Sequence, residues 1–221
     1  MAPQDRFILV TGGARSGKST FAERLAAQLA EPLGGRVTYL ATSETNDVEM
    51  AARVAAHCAA RPAPWTTVEC PLEAPAAVRE HAGPSVFLLD CVTFWVTNLL
   101  FAGGAFGGSA PPDEGFNYDK DLLPADEERA ASARVSAGVS DLLAALAETG
   151  ATMVAVSNEV GLGVVPEYPL ARLYRDQLGW ANQRLAAAAD RVYFLVAGFP
   201  LDVTALAASP LTQPPVKESD Q

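Results

Sequence analysis

The stretch "ILVTGGARSGKSTFAE", residues 8–23, constrains the fold more than any other part of the chain. An apolar run leads into a glycine-rich turn, and residues 12–19 satisfy G-x-x-x-x-G-K-[ST] just as a helical pattern begins. Strand, tight loop and helix in that order aim successive backbone N–H groups at one centre, and the helix dipole adds positive potential there. The turn Gly12, Gly13, Ala14, Arg15, Ser16, Gly17 therefore reads as a phosphate cradle. Lys18 would reach the β and γ phosphates of a nucleotide, and Ser19 would bind Mg²⁺. Such a loop predicts a sheet whose strands run parallel, because its helix must cross back to the next strand.

The rest of the sequence agrees. Four further runs are continuously apolar rather than alternating: "VTYLAT" (37–42), "SVFLLD" (85–90), "TMVAVSN" (152–158) and "RVYFLVAG" (191–198). Strands of that kind are covered on both faces. Helical patterns fall between them, in "STFAERLAAQLA", in a segment around His57 that Pro62 ends, in "CVTFWVTNLLF", in "ADEERAASARVSAGVSDLLAALAE" and in "PLARLYRDQLGWANQRLAAAAD". The expected fold class is α/β, a mainly parallel sheet flanked by helices. With 221 residues, 49% of them apolar, one catalytic domain over residues 1–208 is expected. Residues 102–124, rich in Gly and Pro, read as a loop insertion, and 209–221 as a flexible tail.

Composition limits the partners. Sixteen basic against 26 acidic residues give a net charge of −10, which argues against nonspecific binding to nucleic acid or anionic lipid. An anionic ligand must be held by a local site. The three cysteines, Cys58, Cys70 and Cys91, have no C-x-x-C spacing, and no apolar run has the length of a membrane span or the flanks of a signal peptide. These features predict a cytoplasmic protein.

Several side chains are candidates for the site. Asp90 ends the run "VFLLD", where open α/β sheets bind ligands, and reads either as the carboxylate that organises the metal or as a helix cap. Glu159, in "VSNEVG", ends another strand on the same edge and reads as a site residue or a local cap. Arg172 and Arg175 lie three apart on one helix face, suited to clamping a phosphoryl group or to solvent. Met50, Val54, His57 and Arg61 share one helical stripe, so His57 is either a core histidine or a neutral imidazole able to attack phosphorus. His81 reads as a surface residue in a loop before a strand.

The ordered set "GGARSGKS", "YLATS", "EMAAR", "TNLLF" and "NEVGLGVVP", spread over residues 6–198, resembles the bifunctional cobinamide kinase and cobinamide-phosphate guanylyltransferase family of cobalamin biosynthesis. The resemblance implies an enzyme that phosphorylates adenosylcobinamide from ATP or GTP, then transfers GMP from GTP to that phosphate and releases pyrophosphate. It implies a guanylylated histidine after "EMAAR", which falls on His57. It also implies nucleotide contacts at Ala41, Thr42, Ser43, Cys58, Ala59, Ala60, Arg61, Glu69 and Asp90, and a RecA-like P-loop sheet assembled as a homotrimer. The chain departs from the family pattern in three places. Ala56 stands where many relatives have a second histidine, Asp90 where they often have Glu, and the 102–124 segment is longer than usual. Two other readings stand beside this one: an enzyme with guanylyltransferase activity only, and a P-loop nucleotide-binding regulator, which would not need His57.

Overall fold

The computed structural model describes residues 5–43, 64–102 and 124–207. His57, Cys58, Ala59, Ala60 and Arg61, the loop insertion beyond residue 102 and the tail after residue 207 lie outside the described residues.

The apolar runs form strands β1 (Phe7–Gly12), β2 (Val37–Ala41), β4 (Val86–Asp90), β5 (Thr152–Val156) and β6 (Arg191–Val196). Two more strands complete one seven-stranded sheet, β3 (Trp65–Glu69) and β7 (Phe199–Asp202), in the order β3-β2-β4-β5-β1-β6-β7. All neighbouring pairs are parallel except β6 with β7. One strand, β5, thus separates the glycine loop's strand from the strand that ends in Asp90.

Side chains alternate across the sheet and divide the core into two layers. Ile8, Val10, Tyr39, Leu88, Val154 and Val156 face α1 (Lys18–Ala30), which buries Ala22, Ala26 and Ala30 against them. Phe7, Leu9, Leu40, Phe87, Leu89, Met153 and Ala155 face the other way, under α2 (Ala74–Glu80), α3 (Val92–Phe101), α4 (Ala125–Thr149) and α5 (Pro169–Ala188). A last short helix, α6 (Val203–Leu206), follows β7.

α4 is long and apolar enough to cross a membrane by length and composition. Its stripe Ala131, Val135, Val139, Leu142 and Ala145 is instead buried at helical spacing in the core, and its first turn carries Asp126, Glu127 and Glu128. Arg79 on α2 reaches Asp141 and Glu148 on α4, each at 2.7 Å. Those exposed pairs link the two helices at the surface, where solvent screens them. Trp95 on α3 is fully buried and donates its indole N–H to the Leu72 carbonyl at 2.9 Å.

Three elements had no clear signal in the sequence. β3, "WTTVE", is an edge strand with mostly exposed side chains, so it lacks the apolar run that marks the others. β7, "FPLD", contains Pro200, which an edge strand tolerates because no further strand needs its missing N–H. α2 has only seven residues; His81 is its C-cap residue, in the exposed turn that leads to β4, as expected.

Cys70 and Cys91 are both buried. Burial, and then Glu73, pushes the Cys70 thiol up to about 12; burial, and then Asp90, pushes Cys91 upward too. The folded chain therefore holds thiol protons that the unfolded chain releases near pH 8.5. Their stabilisation is complete below that pH and is lost as pH rises toward about 12. Neither thiol should react with iodoacetamide at pH 8 in the native protein, and both should in urea. Peptide mass spectrometry of the two samples checks this.

Candidate active site

The glycine loop is built by backbone geometry at a few positions. Gly12 has φ 152°, and a Cβ there would lie 2.7 Å from the Leu195 carbonyl oxygen and 2.8 Å from the Ser16 hydroxyl. Gly17 is the N-cap of α1 at φ 91°, in the left-handed region, and its carbonyl accepts from Phe21 N–H at 3.0 Å. Arg15 also has positive φ, 57°. Lys18 lays its ammonium across the loop and donates to the Gly13 carbonyl at 3.1 Å. Ser16 Oγ is buried with no hydrogen-bond partner among the described residues, and Ser19 opens the first turn of α1.

A turn from the far edge of the sheet braces the loop. Ala197 and Gly198, at φ 50° and 88°, form the two-residue link between β6 and β7 that a right-twisted hairpin requires. Gly198 N–H donates to the Ser16 carbonyl at 2.9 Å.

Across β5, Asp90 ends β4. Strand alternation from Leu88 puts its carboxylate on the α1 face, the same face as the glycine loop. Tyr39 OH donates to Asp90 Oδ2 at 2.9 Å, from a residue that pairs with Leu88 and lies diagonal to Asp90 on that face. The N-cap position of α3 belongs to Cys91, so Asp90 does not cap that helix.

Between these two features the end of β5 is pinned on both sides. Thr93 Oγ1 accepts from Asn158 N–H at 3.0 Å, while Asn182 donates to the Asn158 carbonyl at 3.0 Å and accepts from Ser157 Oγ at 2.6 Å. Thr42 is fully buried; its hydroxyl accepts from Cys91 N–H and donates to Cys91 carbonyl at 2.8 and 2.7 Å, and Asn98 donates to Thr42 carbonyl at 2.8 Å. The carboxyl edge is thus a polar rim over an apolar sheet. It can hold the phosphates of a nucleotide at the loop with a carboxylate facing them.

The whole chain is similar to known proteins. The family described as cobinamide kinase / cobinamide phosphate guanyltransferase matches residues 8–203. The bifunctional adenosylcobalamin biosynthesis protein CobU of Salmonella typhimurium is 44% identical over 197 residues, 89% of this chain and 98% of that protein. The chain belongs to this family. The corresponding CobU of Escherichia coli is 43% identical over the same shares of both chains, and CobP of Pseudomonas aeruginosa is 42% identical over 87% of this chain and 94% of its own length. Among solved structures, the KaiC-like protein PH0186 of Pyrococcus horikoshii gives a TM-score of 0.43 at 14% identity, covering 86% of this chain and 70% of that one. The sheet itself is mainly parallel and flanked by helices on both faces.

As a member of the cobinamide kinase / guanylyltransferase family, the chain is a bifunctional transferase of adenosylcobalamin biosynthesis. Its sequence-predicted residues separate in the structure. Gly12 to Ser19 and Asp90 come together on one face. Ala41, Thr42 and Ser43 follow the end of β2 beside them, and Glu69 ends β3 next to Ala41. Glu159 folds back on its own turn, accepting from Gly161 N–H at 2.6 Å. Arg172 donates to the Pro166 carbonyl at 3.1 Å and to the Glu167 carbonyl, and Arg175 pairs with Asp176 at 3.1 Å. Arg172 also lines a groove of about 280 Å³ with Glu128, Ser132, Asp176, Gln177 and Trp180, between α4 and α5.

Sequence reasoning missed Tyr39, Thr93, Asn158 and Asn182. Only "SNE" at a strand end hinted at a polar rim. Gly12→Ala should cost about 1–3 kcal/mol of stability through the backbone clash and the strained φ, and weaken GTP binding at least about tenfold. Urea denaturation and fluorescent-nucleotide titration measure the two effects.

Proposed function

We propose that the nucleotide phosphates of GTP or ATP lie in the loop Gly12–Ser19, and that GMP transfer runs through His57. One observation supports the first part most: the loop's strand and the Asp90 strand, separated only by β5, present Lys18, Ser19 and Asp90 on one face. Ser19 and Asp90 are an all-oxygen donor set, the kind Mg²⁺ takes beside phosphate, so these two residues would hold that ion. When bound it would neutralise charge on the β and γ phosphates.

In the phosphorylation step the hydroxyl oxygen of adenosylcobinamide attacks the γ phosphorus. The bond from that phosphorus to the bridging oxygen breaks, the nucleoside diphosphate leaves and the hydroxyl proton passes to solvent. Lys18 and the loop N–H groups stabilise the charge on the leaving phosphates, and the rigid loop positions them. In the second step an imidazole nitrogen of His57 attacks the α phosphorus of GTP and pyrophosphate leaves. A phosphate oxygen of the phosphorylated corrinoid then displaces the histidine, giving adenosylcobinamide-GDP. The family resemblance at "EMAAR" supports His57 in this role, with Cys58, Ala59, Ala60, Arg61, Ala41, Thr42, Ser43 and Glu69 around the nucleotide. Arg172 and Arg175 have local partners, which favours a role in shaping the start of α5 over direct phosphate contact. The same resemblance supports a homotrimer, and the cysteine pattern supports a cytoplasmic setting.

With labelled GTP the wild-type protein should form an adduct that survives alkali and breaks in acid, where the P–N nitrogen is protonated. His57→Ala should lose that adduct and guanylyl transfer while retaining most cobinamide phosphorylation. Lys18→Ala should lower both activities at least about 100-fold. An alkali-stable adduct in His57→Ala, or label on His81, would refute the assignment.

A further inference from the structure

We infer that Asn158 is an acceptor-binding residue: its side-chain carbonyl receives the hydroxyl of the corrinoid substrate and holds it in line with the terminal phosphate. This rests on the proposed placement of the nucleotide and extends it to the other reactant.

The geometry comes from the β1–β5 ladder. Ser157 N–H donates to Val10 carbonyl at 2.9 Å, and Glu159 N–H donates to Gly12 carbonyl at 3.1 Å, so the extended pairing continues three residues beyond the end of β5. Alternation therefore also continues. Met153 and Ala155 face the layer of α2 to α5, and Ser157 follows them by bonding Asn182 on α5. Val154 and Val156 face α1, and Asn158 follows them. Its side chain lies on the face shared by the glycine loop and Asp90. The register pairs Asp90 with Val156, which sets Asn158 one pleat nearer the open carboxyl edge.

Two further observations point to a ligand. Asn158 Oδ1 is buried with no hydrogen-bond partner among the described residues, a condition that costs about 1–3 kcal/mol unless a donor arrives. The Asn158 backbone N–H and carbonyl are bonded to Thr93 and Asn182, so the residue that carries the side chain is positioned before any substrate binds.

An orphan acceptor selects a donor. Phosphate oxygens at neutral pH have none to offer, whereas the alcohol of cobinamide has one. With its proton directed at Asn158 Oδ1, the hydroxyl oxygen turns a lone pair toward the γ phosphorus. Asn158 takes no proton; the proton still leaves to solvent as the P–O bond forms. In guanylyl transfer the corrinoid arrives as a phosphate monoester, the hydroxyl is gone, and Asn158 has nothing to receive.

The two activities therefore separate the proposal from a structural role. Asn158→Ala should lower kcat/KM for phosphorylation of cobinamide about 10- to 100-fold. Guanylylation of supplied cobinamide phosphate with GTP should fall no more than about threefold, which also shows that the variant folds. Asn158→Asp, which keeps the acceptor oxygen, should recover at least part of the kinase rate. Equal loss of both activities, retention of both, or no recovery in Asn158→Asp would overturn the inference. A wild-type enzyme that guanylylates but does not phosphorylate would count against the functional reading itself, so the two failures are distinguishable.

Discussion

The hydrogen bond from Glu159 N–H to the Gly12 carbonyl is the point on which the site turns. It carries the β1–β5 ladder past the last regular strand residue and into the glycine loop. On its other side the start of the loop pairs with β6, where Gly12 lies opposite Leu195, and Gly198 bonds Ser16. Through the Glu159 bond, the glycine loop and the polar residues at the end of β5 are joined directly. Parallel pairing makes this possible, because both strands end at the same edge.

Strand alternation then sorts the chemistry from the packing. On the layer under α2 to α5, the end of β5 bonds to helices: Ser157 Oγ donates to Asn182 on α5, and Asn158 N–H donates to Thr93 on α3. On the α1 layer the strand ends carry Asp90, Asn158 and the glycine loop. Tyr39 is the exception that supports the rule, since its ring packs in the α1 layer while its hydroxyl reaches Asp90. On a chain of net charge −10 the proposed anion site would rest on N–H dipoles and one lysine at short range, with distant carboxylates screened over about 10 Å.

The α/β class, the five apolar strands and the phosphate loop were legible because each is written in contiguous residues with a period or a motif. β3, β7 and α2 were not, because their form depends on neighbours: an edge strand needs only one partner, and a seven-residue helix shows barely two turns of pattern. The site divides in the same way. Lys18, Ser19 and Asp90 are proposed from motif and strand end. Asn158, Thr93 and Asn182 could not be read that way, since their contacts join residues 65 and 24 positions apart through sheet register. The alternatives left open for Glu159, Arg172 and Arg175 could be weighed only when their local partners were visible.

The edge hairpin shows why a nucleotide site draws on sequence far from its motif. Gly198 must take φ 88° for the turn between β6 and β7, and its N–H meets the Ser16 carbonyl. That contact satisfies a carbonyl in the loop. The turn packs closely on the loop: a Cβ on Gly17 would lie 3.4 Å from Gly198 Cα. β7 itself adds four residues to the sheet and an exposed Phe199, little for the core. Its contribution is positional: it returns the chain sharply enough for Gly198 to press against the loop, and so an edge element of weak sequence signal helps set the geometry of the strongest motif in the chain.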